Sequence, residues 1–161
     1  MTINTTSGAA FSIGPVTDKG TNSSVEYAAL TPWVDIEEIE SLGEFGDESA
    51  VVTFSSIKDA RVRKLKGARD AGNIVLVCAR DPFDPGQNAL AAAQLTKFHY
   101  AFRLTAADNP DSNDTPSIFY FQGPVNSARN NFGNNNNVTK TTFNIGISQA
   151  IIEVPAAVVG P

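Results

Sequence analysis

The sequence predicts a mainly β protein, a two-sheet β-sandwich or partly closed barrel with one flanking α-helix and a long hairpin-like arm. Three observations carry this. Seven or eight short apolar runs, several alternating with period two, recur between clusters of Gly, Pro, Asn and Asp. Only one stretch carries helix-start signals. Two charge blocks of opposite sign flank a short apolar run, which marks a polar segment set apart from the core. The 161 residues suit a single domain, 1–161, with a sizeable core, and leave too little chain for a comfortable second one.

Residues 1–29 are rich in Gly, Ser, Thr and Ala with scattered Phe11, Ile13 and Val16, so they read as an extended N-terminal arm rather than a packed element. Pro32 introduces the first firm strand, residues 33–39. Seven carboxylates follow without a Lys or Arg among them: Asp35, Glu37, Glu38, Glu40, Glu44, Asp47 and Glu48. Half of the twelve Lys and Arg residues then crowd into residues 58–69: Lys58, Arg61, Arg63, Lys64, Lys66 and Arg69, against the single carboxylate Asp59. Val51 to Phe54 and Arg61 to Lys66 read as strands, so residues 43–72 form a hairpin-like arm too polar to make a core alone. Composition leaves two readings of it. One is a solvated hairpin with local ion pairs; the other is a self-complementary surface that favours head-to-tail assembly.

The run Ile74 to Ala79 is continuously apolar and suits a strand covered on both faces. Asp84 then serves as N-cap, Pro85 fits the first helical position, and Gln87 completes a capping box for an alanine-rich helix running to about Leu95. Phe98, Tyr100, Phe102 and Leu104 alternate on one face of the next strand, with Lys97, His99 and Arg103 on the other. After a turn cluster of Asp, Asn and Pro, residues 118–122 form a strand that continues, past a Gly123-Pro124 bend, through 125–129. Asparagines 130–137 make a polar tip. Thr139, Thr141, Phe143, Ile145 and Ile147 recur at period two, Ile151 to Val154 closes the sheet, and residues 156–161 form a loose tail.

The composition narrows function mainly by exclusion. A net charge of −5 argues against gripping nucleic acid through its phosphates. No apolar run approaches the roughly 18 residues of a membrane span, and no basic start with an apolar core marks a signal peptide, so synthesis and assembly in a cytoplasm are expected. The single histidine, His99, sits on an outward strand face, and the single cysteine, Cys78, sits in an apolar run. No catalytic triad or zinc set can be built from them. Phosphate-binding glycine loops are missing, and the 108–114 loop lacks the glycine and terminal glutamate of a calcium loop. No catalytic residue, metal or cofactor is expected.

Three blocks, residues 33–46, 61–72 and 81–87, together with the closing Phe143-Asn144-Ile145-Gly146-Ile147, resemble the major tail, or tail tube, proteins of long non-contractile-tailed bacteriophages and related gene transfer agents. The resemblance spans about residues 30–155. It implies a β-sandwich that forms hexameric rings, with inner sheets joined into a continuous barrel and residues 43–72 reaching the next ring. The same fold family includes the tube protein of type VI secretion, so a secretion-tube relative, which differs in context more than in sequence, is an alternative reading. Such proteins have no catalytic residues, so none is carried over. The resemblance implies a location in the virion and, as partners, copies of the chain itself plus tape-measure, tail-terminator and tail-tip proteins, with DNA passing through unbound.

On that reading the two charge blocks are the candidate inter-subunit contacts. The polar strand faces bearing Gln122 with Asn126, and Lys140, Thr142 and Asn144, are the candidate lumen lining, with Asp35 and Glu37 on the first strand as a further possibility. The competing reading from another class is a carbohydrate- or receptor-binding β-sandwich. It would want exposed aromatics, and Trp33 is the only tryptophan.

Overall fold

The computed structural model describes residues 3–17 and 21–160. In chain order the elements are β1 (Ala10–Val16), α1 (Ser24–Ala29), β2 (Val34–Ile36), β3 (Ile39–Ser41), β4 (Glu48–Ser55), β5 (Val62–Asp70), β6 (Asn73–Ala79), α2 (Pro85–Gln94), β7 (Tyr100–Thr105), β8 (Ile118–Gly123), β9 (Val125–Asn131), β10 (Lys140–Gly146) and β11 (Ile152–Val154). A five-stranded sheet in the order β11-β8-β7-β1-β2 faces a four-stranded sheet in the order β3-β6-β10-β9, while β4 pairs with β5 alone. Every pairing between these strands is antiparallel. The mainly β two-sheet reading holds, as an open sandwich without a closed barrel.

Alternation builds the core. Phe11 and Ile13 of β1, Phe102 and Leu104 of β7 and Phe121 of β8 point inward from one sheet, against Ile74, Leu76 and Cys78 of β6 and Phe143 and Ile145 of β10 from the other. Phe11, Phe102 and Phe121 stack with ring centroids 5.3–6.1 Å apart.

The N-terminal reading needs correction. Residues 10–16 form β1, which lies inside the five-stranded sheet between β7 and β2, and residues 24–29 form a second helix. Tyr27 of α1 is buried and stacks on Tyr120 at 5.5 Å, in a small core on the outer side of that sheet. Only a short Phe-Ser-Ile alternation signals β1 in the sequence, and its partners lie about ninety residues away in β7. The tail is not loose either: Ala157 exchanges backbone hydrogen bonds with Thr115. Phe98 falls outside β7 and is exposed, so the core face of that strand begins at Tyr100.

The expected strand over residues 33–39 breaks in two, because the chain passes between the sheets at Glu37 and Glu38. β2 closes one sheet and β3 opens the other. Glu38 takes a φ of 59° there, an unfavourable conformation for a non-glycine residue that surrounding bonds must hold. The Glu37 amide donates to the Asp84 carboxylate (3.0 Å), Gln87 Nε2 donates to the Glu37 carbonyl (3.2 Å), and the Ala79 amide donates to the Glu38 carbonyl (2.8 Å). Asp84 meanwhile accepts from the Gly86 and Gln87 amides as the N-cap of α2. Gly86 is required for this closeness, since a Cβ there would collide with the Asp35 carbonyl.

Replacing Asp84 with Ala therefore removes both a helix cap and the partner of a part-buried amide. A loss of about 2 kcal/mol is expected, read as a melting temperature lowered by about 4–8 °C. Asp84→Asn, which keeps an acceptor, should lose less. Equal melting of the Ala variant and the parent would refute the clamp.

Candidate assembly surfaces

The hairpin of β4 and β5 stands apart from the sandwich. Val52 lies opposite Leu65 and Phe54 opposite Arg63, so these side chains share one face. Val51 opposite Lys66, Thr53 opposite Lys64 and Ser55 opposite Val62 share the other. Apart from Arg63, which pairs with Asp59, the first face is apolar: Phe54 is 56 % exposed and Leu65 61 %, and Ile57 at the turn is fully exposed. Sequence reasoning saw the basic block and missed this face. The signal was present as the alternation of Val52 and Phe54, but only the strand register shows that Leu65 joins them and that no core covers them.

No ion pair among the described residues joins the two charge blocks, although Asp47 and Glu48 share hollows with Arg69 at the hairpin root. Among the described residues the ion pairs are Arg63 with Asp59 at 2.8 Å, inside the hairpin, and Lys140 with Glu40 at 2.7 Å, across β10 and β3. Lys58, Arg61, Lys64, Lys66 and Arg69 are exposed along the hairpin. Glu44, Asp47 and Glu48 lie exposed at its root, and Asp35, Glu37, Glu38 and Glu40 follow the passage between sheets. Asp35 also accepts a hydrogen bond from Ser12 Oγ.

The candidate lumen residues separate into two groups. Gln122 is wholly buried and donates to the Thr21 carbonyl (3.0 Å), the Tyr27 hydroxyl (3.2 Å) and Gln149 Oε1 (3.1 Å), so it belongs to the subunit interior. Asp35 sits on the five-stranded sheet and Glu37 in the turn beyond it, so they form no common face with the rest. Lys140, Thr142 and Asn144, by contrast, occupy alternate positions of β10 and point away from the core residues Thr141, Phe143 and Ile145. Asn126 joins them at a β9 irregularity, its amide close to Gly146. Arg129 of β9, opposite Thr142, completes the outer face of the four-stranded sheet and was not anticipated. The face combines Thr, Asn and Ser with Val75 and Val77 of β6, one ion pair and Arg129.

An apolar hollow of about 330 Å³ opens beside the hairpin root. Leu42, Phe45, Leu104 and Phe119 line it, with Asp108 at its edge. Phe45 packs edge-on against Phe119 at 5.5 Å. Ser117 holds Asp108 below the usual carboxylate range, chiefly through its hydroxyl (2.6 Å) and also through its amide (2.8 Å).

Elsewhere the arrangement gives little chemistry. Burial, with a smaller contribution from Asp84, pushes the Cys78 thiol up to about 12, far from a reactive thiolate. Trp33 is half-buried, with the Arg103 guanidinium 4.8 Å above its ring, so it offers no open stacking platform. No group of His, Cys, Asp and Glu suited to a metal occurs among the described residues, and none of their helices is long and apolar enough to cross a membrane.

A sandwich whose distinctive surfaces are an unsupported hairpin, sorted charges and a bland polar sheet face defines an assembly subunit. Residues 1–149 match the family model described as phage tail tube protein, and the chain belongs to that family. It is a structural component of a phage tail, and so of a virion, and not an enzyme. Among solved structures it is similar to a chain of the anti-feeding prophage baseplate (TM-score 0.70, 10 % identity, 96 % of this chain and 98 % of that one). It is also similar to a chain of the sheath/tube terminator of the PVC extracellular contractile injection system (0.62, 10 %, 91 % and 92 %), and to the SPP1 tail tube (0.58, 12 %, 90 % and 75 %). Compared by sequence with curated proteins, the chain matches none.

Reversing the sign of Arg61, Arg63 and Lys64 together should stop self-association and leave the subunit folded, because exposed charges contribute little to a monomer's own stability. Circular dichroism and light scattering read the two effects separately. Undiminished association of the triple variant would refute the assignment. In hydrogen exchange, residues 43–72 should exchange quickly in the free subunit and slow on assembly, since the hairpin has no sheet or helix beneath it.

Proposed function

We propose that the chain polymerises as stacked hexameric rings into the tail tube of a siphophage or related gene transfer agent, a smooth channel through which DNA passes. The observation that carries this is the hairpin, residues 48–70, with an apolar face and a row of cations that its own sandwich does not use. In a monomer such a face is a liability, and in a stacked assembly it is a contact. The four-stranded sheet supports the ring. Its strands alternate in direction and are even in number, so its edge strands β3 and β9 run oppositely and the β3 of another copy can extend β9 antiparallel.

The same sheet's outer face is the proposed lumen lining. Thr142, Asn144 and Asn126 are small and uncharged and Lys140 is neutralised by Glu40, which suits a duplex that must slide without being held. Tape-measure, terminator and tail-tip proteins are the expected partners, with assembly in the bacterial cytoplasm. The contractile-system neighbours favour a second reading, a tube subunit that works inside a sheath. An exterior that binds a sheath protein would separate the two.

Negative-stain microscopy of the concentrated protein should show sixfold rings or tubes, and dispersed monomers would count against the proposal. Thr142→Lys should leave tubes intact while making DNA ejection slower and more salt-dependent, because one added cation per subunit recurs along the whole channel. Ejection at the parental rate would remove that face from the lumen.

A further inference from the structure

We infer that the hairpin turn of one copy seats in the apolar hollow at the hairpin root of a copy in the next ring, with Ile57 and Phe54 as the inserted side chains. This rests on the tube reading and names the receptor for the hairpin. Three observations on the same chain fit together. Ile57 is wholly exposed at the turn and Phe54 heads the apolar face just behind it. The hollow, about 330 Å³, is lined by Leu42, Phe45, Leu104, Ala106 and Phe119 and has room for such side chains. Charge is also matched: Lys58 and Arg61 flank Ile57, with the intervening Asp59 paired to Arg63, while Asp108 lines the hollow and Glu44 lies between its lining residues Gly43 and Phe45 in sequence.

Geometry makes the contact propagate. A hairpin strand of eight residues spans about 27 Å at 3.4 Å per residue, so the turn lies far from its own root and cannot fold back into the hollow beside it. A turn that fits a root hollow on another copy is a heterologous contact, and such contacts do not close on two copies; they stack. Another groove of similar size, between α2 and the four-stranded sheet, is a poorer receptor. Its rim carries both Arg80 and Asp81, and its lining mixes Gln87, Asn88, Gln94 and Asn130 with apolar groups. So is the hollow of about 350 Å³ between the bases of the hairpin strands, which is lined by Glu48, Arg69 and Asp70.

Disulfide trapping tests this. The native Cys78 is buried and its thiol held neutral, so an engineered pair reports alone. Ile57→Cys combined with Ala107→Cys, at the hollow's edge, should give a ladder of covalent multimers when assembled material is oxidised. Thr5→Cys, another edge position, replaces Ala107→Cys if that variant folds poorly. Ile57→Cys with Gln94→Cys, at the α2 groove, should give no ladder. Tubes without a ladder from either hollow pair would overturn the inference and leave the tube reading standing. So would a ladder from the Gln94 pair, or dimers from Ile57→Cys alone. Failure of the unmodified protein to form rings or tubes would instead remove the tube reading, and this inference with it.

Discussion

Asp84 does two jobs with one carboxylate, and the relation between the two sheets depends on it. As N-cap it satisfies amides at the start of α2, and with its remaining acceptor capacity it holds the Glu37 amide where the chain leaves one sheet for the other. Gln87 completes the clamp by donating to carbonyls on both sides of the passage, Glu37 and Ala79. The helix is thus a bracket as well as a cover, and its alanine-rich body lets it lie between β2 and β9 without prising them apart.

The second passage between the sheets is closed by contact. At Gly123 and Pro124 the chain moves from β8 to β9, and the Gly123 backbone presses so closely on the Gly146 carbonyl that any side chain there would collide. The Gly146 amide donates to the Pro124 carbonyl at 3.0 Å. Two further crossings, from β6 through α2 to β7 and from β10 to β11, also tie the sheets together, so the four-stranded sheet has little freedom to tilt on the core. That matters for a sheet whose edges must meet other copies at a constant angle. The hairpin joins the body through Gly43 at one end and Gly72 at the other, both with positive φ.

What the sequence disclosed follows the range of the interactions. The Asp84 cap of α2 and the alternation in β10 are local patterns that the structure keeps. β6 is a strand as expected but is covered on one face only, with Val75 exposed, and Gln87 turns to Glu37, Ala79 and Asp81 instead of closing a capping box on the Asp84 amide. β1 was hidden because its alternation is three residues long and its value lies in distant partners. The break at Glu37 was hidden because the bonds that enforce it come from Asp84 and Gln87, some fifty positions on. Gln122 misled for a related reason. A glutamine in a strand reads as solvent-facing until Tyr27 and Thr21, from a segment taken for an arm, are found covering it.

The assembly surfaces show the same dependence on register. Basic residues along 58–69 are visible to any reader of the sequence, but charge alone selects partners and orientation more than it supplies affinity. With a net charge of −5, copies of this chain repel one another at long range. Association must therefore draw on buried apolar area, and among the described residues the projecting hairpin offers it through Val52, Phe54 and Leu65 on one face. On the proposed stacking, cations beside that face and carboxylates beside the hairpin root would act as a filter, admitting a turn that meets a root and opposing root meeting root or turn meeting turn. A surface built this way has a top and a bottom, so stacking gains a direction from the same residues that hold it together.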